Sequence, residues 1–310
     1  MEKRKIGSLE VSLAGLGCNN FGWRIDADGT AAVVTAAIDA GINFFDTADI
    51  YGGGQSEEYL GRALKGRRDQ VLIATKFGMK MADGKEGAKP KYIRQAAEDS
   101  LRRLGTDHID LYQIHKPDTS TPIADTLGAL DELVKAGKVR EIGCSNFSAE
   151  QLREAAAVRN GARGACFVSV QNNYSLLHRE PEPEVLPECK RLGIAFLPYF
   201  PLANGLLTGK YRKGEPFPKA SRGEDGFGPK VFTDENLGLV EQLRGFAESR
   251  GHTLLELSMA WLAFKPVVAS IIAGAKTPEQ AKANASSVGW RLTEADAVAV
   301  DGMLTAKAHG

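Results

Sequence analysis

Asp46, Tyr51, Lys76 and His115 stand at or just past the ends of short apolar runs, and their types suit one kind of chemistry. Asp46 follows Ile42-Asn43-Phe44-Phe45, with Tyr51 a few residues on. Lys76 follows Val71-Leu72-Ile73-Ala74-Thr75, and His115 follows Ile109 to Ile114. A tyrosine beside a lysine suits proton donation to an oxygen. Free tyrosine has a pKa near ~10, and a nearby ammonium favours the phenolate, making the phenol a better acid. An aspartate can hold that ammonium in place, and a histidine can donate a hydrogen bond to the same oxygen. Such a set protonates a carbonyl oxygen as hydride reaches the carbon. Taken singly, each residue has an ordinary reading as a helix cap or a solvated loop residue. The recurrence of one position in three consecutive units carries the functional one. No metal site is expected, since the five histidines include no H-E-x-x-H pair. Acyl transfer lacks a G-x-S-x-G nucleophile turn.

The apolar runs that position these residues begin at Leu13, Ile42, Val71, Ile109, Val139, Phe167, Ile194 and Ala269. All but the last lie roughly 30 residues apart, the length of a strand-helix-strand unit. Helical spacing fills the gaps. Thr30 to Ala40 ends at Gly41, Ser56-Glu57-Glu58 opens a helix, and Tyr92 to Leu104 carries an apolar stripe. Thr121-Pro122 places a proline in a first turn, and Ser148 with Gln151 spells a capping box. Eight such units predict an α/β fold, a closed (β/α)8 TIM barrel, with an open doubly wound sheet as the runner-up. Lys5-Ile6 and Val11-Ser12 around Gly7-Ser8 predict an N-terminal β-hairpin over the barrel floor. The long final gap holds an insertion after strand seven, from about Pro201 to Thr233. It contains Lys210, Lys213, Lys219 and Arg222 and is expected to cover a bound cofactor. No linker divides the chain, so residues 1–310 are expected to form a single barrel domain.

A barrel carries its chemistry at the C-terminal ends of its strands. Hydride needs a source, which implies a nicotinamide cofactor. The dinucleotide fingerprint is absent, because Gly15-Leu16-Gly17 is followed by Asn20 where a third glycine would stand. Ser145, Asn146 and Gln171, at the ends of strands five and six, could instead grip a carboxamide. Tyr199, after strand seven, could stack on its ring. Trp23 and Phe77 are expected to form an apolar wall for the substrate.

Composition narrows the setting. The 310 residues are 43% hydrophobic and 25% charged, with 39 basic and 39 acidic side chains, so the net charge is zero. That is globular composition and a poor footprint for nucleic acid. No apolar run approaches the ~18–20 residues that span a membrane. The start, Met1-Glu2-Lys3-Arg4-Lys5, is charged and unlike a secretory signal. Cys18, Cys144, Cys166 and Cys189 form no C-x-x-C pair. These features together predict a cytoplasmic protein with free thiols.

Phe45-Asp46-Thr47-Ala48-Asp49-Ile50-Tyr51-Gly52, Ala74-Thr75-Lys76-Phe77-Gly78, Gln113-Ile114-His115, Gly143-Cys144-Ser145-Asn146-Phe147 and Gln171-Asn172-Asn173-Tyr174-Ser175 together resemble the aldo-keto reductases, over essentially the whole chain. The resemblance implies a (β/α)8 barrel using NADP(H) to reduce aldehydes or ketones. It places Asp46, Tyr51, Lys76 and His115 as a catalytic tetrad, Ser145, Asn146 and Gln171 on the carboxamide, and Tyr199 against the nicotinamide. Tyr199 to Lys210 resembles the family's pyrophosphate loop, which implies contacts from Leu202, Asn204, Gly205 and Lys210, with Gly17 also lining the cofactor. Gly274 to Gln280, with Asn284, resembles the adenosine 2′-phosphate pocket, with Lys276 as its main cation and Gln280 beside it. Some relatives are channel-associated subunits, so a cofactor-binding regulatory protein with little turnover is the alternative. The oligomeric state is not fixed by these motifs.

Overall fold

Short runs of Val, Ile, Leu and Phe bounded by glycine and polar residues become parallel strands in a computed structural model, which describes residues 1–81, 83–160, 164–219, 221–224 and 231–306. The chain opens with an antiparallel hairpin of β1 (Lys3–Ile6) and β2 (Leu9–Ser12). Gly7 takes a positive φ of 56° in the two-residue turn, a conformation glycine adopts without penalty. The barrel strands follow: β3 (Ala14–Gly17), β4 (Phe44–Asp46), β5 (Leu72–Phe77), β6 (Ile109–Ile114), β7 (Val139–Ser145), β8 (Phe167–Asn173), β9 (Ala195–Tyr199) and β10 (Ile271–Gly274). They pair in chain order, and β10 closes on β3 with Ile271 opposite Ala14. Closure removes the runner-up, an open sheet.

Helices α1 (Ala27–Asp39), α2 (Gln55–Ala63), α3 (Pro90–Leu104), α4 (Ile123–Lys135), α5 (Ala149–Asn160) and α6 (Val185–Leu192) alternate with the strands from β3 to β9. Two helices, α7 (Asp234–Glu248) and α8 (Leu254–Ala263), lie between β9 and β10; α9 (Pro278–Ser287) and α10 (Glu294–Ala306) follow β10. Local chemistry sets several boundaries. Gly29 N donates to Asp26 Oδ1 at the start of α1 (2.9 Å). Ser148 and Gln151 form the expected reciprocal capping pair, at 2.9 and 3.2 Å. Pro122 is the N-cap of α4 rather than a residue of its first turn. Gly61 is required where α2 crosses α3, since a Cβ there would lie 2.3 Å from the Leu104 carbonyl oxygen.

Strand alternation divides the interior in two. Inside the barrel, Ile6, Leu9 and Val11 of the hairpin pack against Phe44, Ala74, Leu111, Leu197 and Ile272, so the hairpin is a floor. The other face of each strand packs on the helices, where Ile73, Phe77, Tyr112 and Ile142 join the larger core. The insertion after β9 has a core of its own: a 3-10 helix at Ala203–Thr208, then Tyr211, Phe217 and Phe232 with ring centroids 4.9 to 5.7 Å apart. Ala220 and residues 225–230 of that insertion lie outside the described residues. Among the described residues, no helix is long and apolar enough to cross a membrane.

Candidate active site

Above the apolar floor, the inward column of β5 passes from Ala74 to Lys76, while β4 ends on Asp46. Lys76 is fully buried, and its ammonium donates to Asp46 Oδ2 (2.6 Å) and to the Thr47 carbonyl oxygen (2.9 Å). Asp46 Oδ1 accepts from Gln171 Nε2 (2.9 Å) and Gln113 Nε2 (3.3 Å). A buried ion pair is tolerated where its remaining lone pairs are satisfied, as they are here. Gln113 stands in the Gln113-Ile114-His115 motif, but the sequence reading gives it no role in the site. A lone amide facing inward from the apolar run Ile109–Ile114 was the signal.

Tyr51 begins a short 3-10 turn after β4, and Gly52, Gly53 and Gly54 within or beside it all take positive φ. The Lys76 ammonium lies 5.3 Å from the Tyr51 ring centre. The Tyr51 ring meets His115 edge-on, 5.8 Å between centroids. Burial pushes the Tyr51 phenol above its ordinary pKa; Lys76 opposes this by its charge and by hydrogen bonding, without reversing it. The expected acidifying effect of Lys76 is therefore present but outweighed by desolvation. Burial alone would lower the Lys76 ammonium, yet Asp46 and then Tyr51 more than compensate, leaving it raised. Burial, then the charges of Lys76 and Lys116, lower the His115 imidazole to about 3. At neutral pH the site thus holds a protonated phenol, an ammonium and a neutral imidazole.

A cavity of about 570 Å3 opens over these groups, a typical volume for a small-molecule or cofactor site. Asp46 lines it from the end of β4, Tyr51 and His115 from the loops after β4 and β6, Ser145 and Gln171 from β7 and β8, and Asn146 from just past β7. Tyr199, Leu202, Asn204, Gly205 and Lys210 come from β9 and the insertion, and Gly17, Gly274, Lys276, Gln280 and Asn284 from β3, β10 and α9. Ser145 Oγ donates to the Gln171 carbonyl oxygen (2.7 Å), Asn146 Nδ2 to that of His115 (2.9 Å), and Tyr199 Oη to Asn146 Oδ1 (2.8 Å). The Gln171 NH2 group is committed to Asp46 and Gln113, which leaves its Oε1 as the atom that could accept from a ligand. Gln280 Oε1 accepts from the Lys276 backbone N–H (2.8 Å) at the start of α9.

Two expected substrate residues are placed elsewhere. Phe77 is fully buried and packs on Tyr112, ring centroids 4.8 Å apart. Strand alternation explains the correction: Lys76 points into the barrel, so its neighbour Phe77 points out to the helices. Trp23 is 57% exposed beside Arg24, whose guanidinium sits 4.4 Å from the indole centre. Arg24, rather than Trp23, lines the cavity, together with Met79. No pattern in the sequence distinguished those two.

The insertion also contributes Arg222, whose Nη1 donates to Asn204 Oδ1 (2.9 Å) and whose guanidinium lies 5.6 Å from the Phe200 ring. Among the described residues, the only non-glycine residues at positive φ are Asn146, Phe200, Ala203 and Asn204. Three of these four line the cavity. Such backbone costs about 1–2 kcal/mol per residue and persists where surrounding contacts impose it. Among the described lining residues Asp46 is the only carboxylate, against Arg24, Lys210, Arg222 and Lys276. That donor set fits a phosphate-bearing dinucleotide: amides and a tyrosine beside the tetrad, cations on the loops after β9 and β10.

A closed parallel barrel with this polar set at its C-terminal mouth is an aldo-keto reductase architecture. The model of the aldo/keto reductase family matches residues 14–305, and the chain belongs to that family of oxidoreductases. It is 38% identical to aldo-keto reductase YhdN of Bacillus subtilis (strain 168) over 298 residues, 93% of this chain and 88% of that protein. It is 34% identical to probable aldo-keto reductase 1 of Glycine max, over 94% of this chain and 86% of the relative. Among solved structures, it is similar to the glycerol dehydrogenase AKR11B4 from Gluconobacter oxydans, with a TM-score of 0.85 and 32% identity over 99% of this chain and 96% of that one. The aldo-keto reductase AKR11C1 from Bacillus halodurans, in its holo form, gives a TM-score of 0.81 and 31% identity over 98% and 96%.

Proposed function

We propose that this chain, working as a single barrel unit, is an NADPH-dependent carbonyl reductase that converts aldehydes or ketones to alcohols. The observation that carries the reading is the buried Lys76–Asp46 pair at 2.6 Å beside Tyr51 and His115, on one side of a cation-lined cavity. When bound, the reduced nicotinamide supplies hydride to the carbonyl carbon. Tyr51 gives its phenolic proton to the carbonyl oxygen. Lys76 stabilises the phenolate left behind, and Asp46 keeps the ammonium aimed. His115, neutral across the working range, donates its single N–H to the same oxygen and polarises it. Ser145, Asn146 and Gln171 hold the carboxamide, and Tyr199 covers the ring. Leu202, Asn204, Gly205, Lys210 and Arg222 hold the pyrophosphate; Gly17 and Gly274 admit the backbone approach. Arg24 and Met79 border the substrate. Steady-state reduction of a panel of aldehydes and ketones, followed by NADPH absorbance, tests the reading. Carbonyl-dependent oxidation of NADPH is expected; none across the panel removes the proposal.

Lys276 just before α9, with Gln280 and Asn284 on that helix, faces the adenosine phosphate in this reading. A cation there makes charge-assisted bonds that NADH cannot accept. Lys276→Ala is expected to raise the Michaelis constant for NADPH far more than that for NADH; equal changes refute the assignment.

The insertion is read as a cover over the cofactor, because Pro201 to Lys210 and Arg222 line the cavity while Tyr211, Phe217 and Phe232 give it a core. Saturating NADPH is expected to slow amide hydrogen exchange across residues 201–219. Unchanged exchange there eliminates the cover.

A further inference from the structure

Behind the Tyr51 turn lies a buried polar layer that the reduction chemistry does not use. Glu57, in the first turn of α2, is fully buried and accepts from Thr75 Oγ1 (2.5 Å) and Arg103 Nε (2.6 Å). Asp49 is 2% exposed; its backbone N–H donates to the Lys76 carbonyl oxygen (3.0 Å), and its Oδ1 meets no hydrogen-bond donor among the described residues. The groups that face Asp49 are Glu57 from α2, Arg103 and Tyr92 from α3, Lys76 from β5 and Tyr112 from β6. Lys76 spends its ammonium on Asp46 and Thr47. The Ile50 backbone N–H bonds the Asp49 carboxyl, but the one guanidinium within reach is already bonded to Glu57 and must serve two carboxylates. A charged Asp49 would have a bare buried oxygen beside a like charge, and the cheaper state is the protonated one.

We propose that Asp49 is a positioning residue for the reduction: it is held as a neutral carboxylic acid under the Tyr51 turn, and its ionisation shifts that turn and slows proton delivery. The mechanical link is short. Asp49 lies two residues before Tyr51, in a turn closed by Tyr51 N–H to the Ala48 carbonyl oxygen (3.2 Å) and Gly53 N–H to that of Ile50 (3.0 Å). Burial, and next the Glu57 charge, push the Asp49 carboxyl up to about 7, with Arg103 opposing. Tyr51 and Lys76 are raised above their ordinary alkaline values and His115 is lowered to about 3, so none of these three titrates near neutrality. The sign follows for stability as well. An acid raised in the fold keeps its proton while the unfolded chain loses it, so stability falls as pH rises from about 4 toward 7, then levels off.

The inference rests on Tyr51 as proton donor, and the experiment separates the two ideas. Turnover of NADPH with a saturating aldehyde is measured from pH 5 to 9 in wild type, Asp49→Asn and Glu57→Gln, alongside thermal melting at pH 5 and pH 8.5. Wild type should lose turnover above pH 7, approaching about tenfold per pH unit. Asp49→Asn should flatten that limb and melt higher than wild type at pH 8.5 but not at pH 5. Glu57→Gln, which frees Arg103 for Asp49, should move the limb to lower pH and covers the case of an Asp49 variant that does not fold. A wild-type profile without a limb near neutrality overturns the proposal, as does a limb unchanged in both variants. If wild type itself turns over at no pH, the reductase reading falls and the positioning role with it. The melting data then decide only whether Asp49 holds its proton.

Discussion

Lys76→Met should cost the protein both stability and turnover, and the two losses should be separable. Methionine matches the lysine stem in length, so packing changes little. What disappears is the cation that faces Asp46 at 2.6 Å, with both side chains buried. Removing one partner of such a pair typically costs about 3–5 kcal/mol, because the other charge is stranded. Gln113 and Gln171 still donate to Asp46, which argues for the lower end, about 3 kcal/mol. Denaturant melts should report that loss. The double variant Asp46→Asn, Lys76→Met removes the stranded charge and should regain most of the stability. It should not regain turnover, since the phenolate of Tyr51 would still lack its ammonium. Recovery of both together would mean that Lys76 is needed for folding alone.

The barrel was legible because each strand is a compact apolar run, and the roughly 30-residue spacing leaves room for one crossover helix. Ile6, Val11 and the Gly7-Ser8 turn announced the floor. Of the site, the residues readable in advance were polar groups at strand ends, where local sequence and the barrel rule suffice. Ser145 is the last residue of β7 and Gln171 stands two residues before the end of β8, but Lys76 stands one residue before the end of β5 rather than at it. That small shift misled the reading of Phe77, since one residue along a strand exchanges barrel interior for helix layer. Contacts between distant segments were not readable. Glu57 suggested a favourable helix start, and nothing local showed that Arg103, 46 residues on, would bury it in an ion pair. Arg24 and Met79 sit on irregular loops whose path depends on tertiary packing. The positive φ of Phe200 and Ala203 also has no signature in residues of those types.

Tyr51 as the general acid is the central claim. The phenol is raised by burial and so stays protonated through the neutral range, while Lys76 lowers the energy of the phenolate formed as the proton leaves. His115, lowered to about 3, is a neutral imidazole at neutral pH, and its one N–H is far too weak an acid to be transferred but can hydrogen-bond to the carbonyl and polarise it. General acid catalysis is typically worth ~10²–10⁴-fold. Tyr51→Phe deletes the donor and keeps the ring against His115, so NADPH affinity should change little while the chemical step slows by about that factor. The direct measurement is single-turnover hydride transfer in Tyr51→Phe, with NADPH and aldehyde both saturating so that binding drops out. A rate reduced about a hundredfold or more is the predicted result. A rate within about threefold of wild type, far inside the expected acid-catalysis effect, would contradict it and move the proton donor elsewhere.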